Sequence, residues 1–315
     1  MTIQWYPGHM HKAQKEIKEA LPKVDLVIEV VDARIPYSST NPMVAEFLAA
    51  SDNPKPVIRV LNKSDLSDSK VTELWSQAFD SQHGTKSLPI SCKQPEQVKK
   101  IVRLCHKIFP KYLEKGKPIK AMIMGIPNVG KSTIINILSG RTIAKVGNEP
   151  AVTKRQQRID LDNGIILFDT PGFLWPKIEN INSSYRLAIT GAIKDTVLEY
   201  GDIAYYAAEY FLEYYPQSLK ENFQLEDDLI KNGSQDITRL LEFIGRKRGC
   251  LQAGGRIDLD RVCKILINEF RNFTMGPISL ELPEMVEKEL VEVEARLLVK
   301  SEKEINRKKK KKRRR

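Results

Sequence analysis

The stretch VLNKSDL, Val60 to Leu66, decides how the rest of the chain is read. It carries N-K-x-D, Asn62-Lys63-Ser64-Asp65, at the end of the apolar run PVIRVLN, Pro56 to Asn62. In such a motif the Asp65 carboxylate can accept the two hydrogens that guanine presents from its ring N–H and amino group. Asn62 can meet the other edge, and the Lys63 stem can cover the ring. A site built on specific hydrogen bonds rejects an analogue lacking them by about 10⁴ to 10⁵, and open α/β sheets bind ligands at the carboxyl ends of their strands. SCK, Ser91 to Lys93, ends the next apolar stretch, KSLPIS, where the Ser91 and Cys92 backbone can support the base.

The matching phosphate motif comes later. GIPNVGKST, Gly125 to Thr133, fits G-x-x-x-x-G-K-[ST] between an apolar strand, IKAMIMG (Ile119 to Gly125), and a helix continuing through Leu138. Backbone N–H groups around Asn128, Val129 and Gly130 can turn toward phosphate oxygens, aided by the helix N-terminus that opens on Lys131, Ser132 and Thr133. Lys131 would span the β- and γ-phosphates and the Ser132 hydroxyl would bind Mg²⁺. DTPG, Asp169 to Gly172, follows the apolar run IILF. There a carboxylate can hold Mg²⁺ through water and the Gly172 N–H can contact the γ-phosphate. Thr153 in EPAVTK, between the two motifs, is the candidate switch threonine that joins the Mg²⁺ shell only when the γ-phosphate is present.

Along the chain the order is thus base-reading, base-supporting, phosphate, switch, magnesium. An ordinary guanine-nucleotide switch starts with the phosphate loop. All five motifs fit one site if the sheet is circularly permuted, because strand neighbours rather than strand order create the pocket. The fold class expected is α/β, a circularly permuted P-loop GTPase domain with a mixed, mostly parallel sheet over residues 1–176. Compact apolar runs at Leu26 to Ala33, Pro56 to Asn62, Lys86 to Ser91 and Ile119 to Gly125 supply parallel strands. Arg155 to Asp162 and Gly164 to Gly172 read as a hairpin turning at Asn163-Gly164. Helical spacing marks Met10 to Ala20, Asn41 to Ala50, Ser69 to Phe79 and a longer segment, Glu96 to Leu113.

From about Lys177 the pattern becomes helical, with segments at Tyr185 to Leu198, Ile203 to Tyr214, Gln235 to Arg246 and Leu259 to Asn272. Residues 177–282 are expected to form a small all-helical domain that binds RNA or the ribosome. Residues 283–315 read as a charged, solvated helix to Ile305 and a disordered basic tail. The final nine residues, Arg307 to Arg315, are all Lys or Arg, so only +2 of the formal charge of +11 belongs to the rest. That concentration points the tail, rather than the body, at phosphate polymers or an anionic surface. Without aromatics it would bind RNA by charge and not by sequence.

Composition excludes several classes. Cys92, Cys105, Cys250 and Cys263 form no C-x-x-C pair, so neither a zinc site nor a disulfide framework is indicated. The start, MTIQWYPGHMHK, has no signal-peptide core and no transit-peptide character. No run of about 18 apolar residues is present. A cytoplasmic protein without integral membrane association is expected.

WYPGHM, VDARIP, NKSD, GIPNVGKST, DTPGFLWP and GAIKD, in this order, resemble the circularly permuted ribosome biogenesis GTPase A (YlqF) family, which assists assembly of the large ribosomal subunit. The likeness runs from Met1 to about Thr274. It implies a GTPase that docks on large-subunit precursors and their rRNA in its GTP state and leaves on hydrolysis, with Mg²⁺ and K⁺ as ions; a monomer is expected. Where many GTPases carry a water-orienting glutamine after D-x-x-G, this chain has Phe173 and Leu174. The resemblance gives the water-orienting part to His9; the residues alone do not choose between His9 and His11. It also sets Asn128 beside a K⁺ that would offset charge as the γ-phosphoryl group departs. It raises GRKRGCLQAGGR, Gly245 to Arg256, as an RNA contact, which a charged loop would explain equally well. The family's switch reads P-G-[IV]-T, whereas here it is Pro150-Ala151-Val152-Thr153. Read from the residues alone, a nucleotide-gated RNA-binding or membrane-surface scaffold with negligible catalysis stays open beside the GTPase.

Overall fold

A computed structural model describes residues 8–49, 54–144, 157–232 and 236–312. Six strands form one sheet in the order β3-β2-β1-β4-β6-β5. They are β1 (Leu26–Asp32), β2 (Val57–Asn62), β3 (Thr85–Pro89), β4 (Ile119–Met124), β5 (Gln157–Asp160) and β6 (Ile165–Asp169). All neighbours run parallel except β5, which pairs antiparallel with β6. β1 and β2 are buried along their whole length, as largely apolar strands covered on both faces are, and the Glu29 and Arg59 that interrupt them pair with each other at 2.8 Å. The hairpin between β5 and β6 turns where expected, with Asp162 and Gly164 both at positive φ.

The helices in the first part of the chain are α1 (Gly8–Ala20), α2 (Pro42–Ala49), α3 (Ser69–Asp80), α4 (Pro95–Ile108), α5 (Pro110–Glu114) and α6 (Lys131–Ser139). The Asp68 side chain caps α3 by accepting from the Lys70 and Val71 N–H groups. The single helix read over Glu96 to Leu113 is two, because Pro110 has no N–H to continue the ladder and Phe109 leaves helical geometry.

The second part comprises α7 (Ile181–Ile189), α8 (Tyr200–Tyr214), α9 (Pro216–Phe223), α10 (Asp227–Asn232), α11 (Ile237–Lys247) and α12 (Leu259–Arg271). The helix read over Tyr185 to Leu198 starts earlier, under an Asn180 cap, and stops at Thr190 before Gly191, whose φ is 78°. One contiguous buried cluster runs from the strands through Leu187, Phe211, Leu240 and Phe270, so these helices share their apolar interior with the sheet.

The end of the chain departs most from expectation. The helix α13 (Pro283–Lys312) spans 30 residues, about 45 Å. It is helical beyond Ile305, where a disordered tail was read from the charge run, and residues 313–315 lie outside the described part. Its first turns are not solvated either: Val286 and Val293 are buried. The segment before it bonds to the loops that follow β2 and β1, with Ile278 N–H donating to Leu66 O and Leu280 N–H to Arg34 O. The physical anchor is ionic. Arg186 of α7, 1 % exposed, donates to Glu289 of α13 at 2.5 and 2.9 Å and faces Glu281 at 3.4 Å. Glu281 also accepts from the Ser38 backbone N–H at 2.9 Å and from its hydroxyl. Burial pushes the Glu281 carboxyl upward, against the opposing pull of Arg186 and Ser38.

Removing one member of such a buried set leaves an uncompensated charge. Arg186→Ala should therefore lower unfolding free energy by roughly 3–5 kcal/mol in urea titrations. Adding Glu281→Gln to that variant should restore part of the loss. A shift below about 1 kcal/mol, the range of exposed pairs, would show that the anchor is not ionic.

Candidate guanine-nucleotide site

Because β1, β2, β3, β4 and β6 are parallel, their carboxyl ends open on one side. Asp32, Asn62, Met124 and Asp169 end four of those strands, and loops carrying the sequence motifs leave from the same edge.

The loop from β4 to α6 needs its glycines for space. Gly125 sits at φ 154°, and a Cβ there would lie 2.3 Å from Val30 O. Gly130 adopts the left-handed region at φ 94° as the residue before α6, and a Cβ there would meet Asn62 Nδ2 at 2.2 Å. The chain therefore curls so that its N–H groups and the helix N-terminus face one hollow, an arrangement suited to phosphate oxygens. Lys131 is buried, its Nζ donating to Gly125 O at 3.2 Å and Ile126 O at 3.4 Å. Burial brings its pKa down to about 8, with Asp169 pulling the other way.

Asp169 stands opposite. It is 1 % exposed, and neither carboxylate oxygen makes a hydrogen bond of acceptable geometry. Burial raises its pKa to about 6, moderated chiefly by Lys131. A buried carboxylate with two unmet oxygens is suited to a cation or to water held by one. Among the described residues no group of three or more His, Cys, Asp or Glu could hold a metal by itself. An Mg²⁺ here would thus draw on Ser132, on Asp169 and on the nucleotide's own phosphates, which matches the preference of that ion for oxygen donors and retained water. Gly172 closes the hollow: a Cβ on it would lie 3.0 Å from Lys131 Nζ and 3.2 Å from Pro127. Thr133 occupies the first turn of α6 beside Ser132.

The base-reading loop is joined to this hollow directly. Asn62 Nδ2 donates to Val129 O at 2.7 Å, and Cys92 Sγ donates to Asn62 Oδ1 at 3.3 Å. Burial pushes the Cys92 thiol up to about 11, which keeps it protonated for that contact. Both ends of the Asn62 amide are thereby engaged. Asn62, read from sequence as a contact to the other edge of the base, also braces the base loop against the phosphate loop. Lys63, at φ 63°, donates to Asp32 Oδ2 at 2.8 Å, which fixes its stem across the pocket. Asp32 also receives both a 2.9 Å and a 2.8 Å bond from the Arg34 guanidinium. Burial opposes ionisation of Asp32, but the Arg34 and Lys63 charges outweigh it and hold the carboxyl well below the usual range. Asp32 and Arg34 were not singled out for a site role from sequence, although an acidic residue closing a buried strand was the available signal.

Asp65 is partly exposed and pairs with Lys93 Nζ at 2.9 Å. Its pKa is lowered: burial works upward, and hydrogen bonds from Lys93 and Ser91 prevail. The Ser91 N–H is taken by Gln97 Oε1 and the Lys93 N–H by Ser91 Oγ, which leaves Cys92 as the candidate amide for the base.

Asn128, at φ 61°, donates from Nδ2 to Gly191 O at 2.7 Å, linking the phosphate loop to the turn after α7. Phe173 and Leu174 are fully buried, and Leu174 N–H donates to Met10 Sδ at 3.4 Å. That contact brings the start of α1 to the residues after DTPG. His9 precedes Met10 in α1, and only its backbone is described. Thr153 and Ala151 lie outside the described residues.

Residues 120–228 match a family model described as a 50S ribosome-binding GTPase. Ribosome biogenesis GTPase A of Priestia megaterium is 43 % identical over 92 % of this chain and 100 % of its own length. The Thermotoga maritima protein of that name is 32 % identical over 90 % and 95 %. Among solved structures, YlqF of T. maritima bound to GNP is similar with a TM-score of 0.56, at 28 % identity over 87 % of this chain and 99 % of that one. A GDP-bound YlqF structure gives a TM-score of 0.58 over 85 % and 99 %. The chain therefore belongs to the ribosome biogenesis GTPase A family, guanine-nucleotide-binding enzymes that hydrolyse GTP and take part in ribosome biogenesis.

Proposed function

We propose that this GTPase docks on precursors of the large ribosomal subunit, through rRNA, when GTP is bound, and leaves after hydrolysis, in the cytoplasm. The observation that carries this reading is the Asn128–Gly191 bond, since it ties the phosphate loop to the helical part without an intermediary. A γ-phosphate or a cation competing for the Asn128 side chain would be felt at once in the turn after α7. The family model's description as a 50S ribosome-binding GTPase supports the large subunit as the partner.

In the mechanism Asp65 accepts the guanine N–H groups after exchanging its pairing with Lys93, and the Lys63 stem lies on the ring. Amides of the phosphate loop and Lys131 neutralise the phosphates. Ser132, Asp169 and, in the GTP state, Thr153 would hold Mg²⁺, which would supply charge compensation to the phosphates. The buried Phe173 and Leu174 have no group to orient water, so that part falls to His9, carried by α1 next to the Met10–Leu174 contact. K⁺ beside Asn128 would offset charge developing on the departing phosphoryl group. With these parts incomplete in isolation, turnover of the free protein is slow.

Phosphate release with and without large-subunit particles, in potassium and in sodium, tests the proposal. Stimulation by particles and by potassium is expected, and fast turnover indifferent to both would end it. Asp65→Asn turns an acceptor toward guanine into a mixed group. GTP affinity measured by calorimetry should fall by about 10³-fold or more, while xanthosine triphosphate, with a carbonyl in place of the amino group, should gain. Asp169→Asn should leave metal-free nucleotide binding within a few-fold and cut particle-stimulated turnover by about 10²-fold. Undiminished turnover would remove Asp169 from the metal's surroundings.

A further inference from the structure

The described face of α13 changes chemistry at one point. Met285, Glu289, Val293, Arg296, Lys300, Lys303 and Arg307 recur at spacings of three or four, so they form one stripe along the helix. In its first half this stripe docks on the body: Met285 and Glu289 meet Arg186, and Val293 is buried. In its second half it is cationic for about 16 Å of axis, from Arg296 to Arg307. Glu294 and Glu302 lie off this stripe, and Glu292 falls beside it, one turn before Arg296. Where the helix leaves the body, a groove opens between it and the segment that follows DTPG. Lys177, Ile178 and Glu179 line one wall; Val293, Arg296 and Lys300 line the other. Glu179 is neutralised by Lys177.

We propose that this groove and the cationic stripe beyond it form a cleft for the phosphate backbone of single-stranded RNA, laid against the segment after the metal-binding loop. The inference rests on the ribosomal reading of the preceding section. Arg296 and Lys300 are exposed and belong to no ion pair among the described residues, so their charge is available to a partner. Successive cations on the stripe stand roughly 4.5–6 Å apart along the axis, a charge density suited to a polyphosphate strand. A bilayer is the other polyanion, but its plane cannot enter a groove walled by the body, whereas a strand can. Val291 and Leu298, on the other side of the helix, are 68 % and 65 % exposed and apolar, so between Arg296 and Arg307 the cations Arg296 and Lys300 are the ones beside the groove.

The test uses the full chain and a labelled single-stranded poly(U) RNA, with binding followed by fluorescence anisotropy across a salt series. The variant Arg296→Gln/Lys300→Gln/Lys303→Gln removes three charges with a good helix former. The control Lys99→Gln/Lys100→Gln/Arg103→Gln removes the same number from the exposed side of α4. For the stripe variant the slope of log affinity against log salt should fall by about 2, with at least a tenfold weakening at low salt and unchanged helicity by circular dichroism. The control should keep both slope and affinity. Equal losses in the two variants, no loss in the stripe variant, or stronger binding of the wild type to phosphatidylserine vesicles than to RNA would each overturn the cleft. Particle-stimulated GTP turnover of the wild type reports separately on the ribosomal reading: its presence alongside an unaffected stripe variant would bring down only this inference.

Discussion

The nucleotide site depends on the bond from Asn62 Nδ2 to Val129 O, which joins two segments 67 residues apart. Without it the base-reading loop and the phosphate loop would be neighbours only through their strands. With it, one amide links the two loops directly, and Gly130 can approach that amide only because it lacks a Cβ. Specificity and phosphate grip are thereby one mechanical unit. The second brace, Asp32 holding both Arg34 and Lys63, works on the same unit from the neighbouring strand.

Lys131 and Asp169 give that unit its electrical character. Each is buried, and each is shifted toward its neutral form by burial while the other opposes the shift. A buried cation and a buried carboxylate short of partners make a poor core and are suited to a ligand that carries the complementary groups. The lysine's donation to backbone carbonyls of its own loop keeps it in place meanwhile.

The rest of the molecule is organised so that this receptor is felt elsewhere. Asn128 reaches Gly191, and the guanidinium of Arg271 caps the same turn through Ala188 O, Ile189 O and Asp195. From the other side, the segment leading to α13 bonds to the base-reading loop at Leu66 and, through Ser279, at Asp68. The phosphate loop and the base-reading loop are therefore both hydrogen-bonded to the part of the chain beyond residue 180.

The motifs of the candidate site were legible in the sequence by itself: N-K-x-D, the phosphate loop and D-x-P-G name their own groups, because each chemical task admits few residue types at fixed spacing. It also determined the strands, since short, largely apolar runs leave a parallel sheet as the place to bury them. It did not determine the brace formed by Asn62, because a short motif shows which atoms a residue has and not which carbonyl comes within reach. Nor did it determine the place of α13. A run dense in Glu and Lys reads as solvated, and only tertiary contact with Arg186 turns Glu289 and Glu281 into anchors. Local pattern fixes elements whose partners are nearby in the chain or interchangeable, such as apolar surface; ion pairs between residues about a hundred positions apart are decided by where the whole fold brings them.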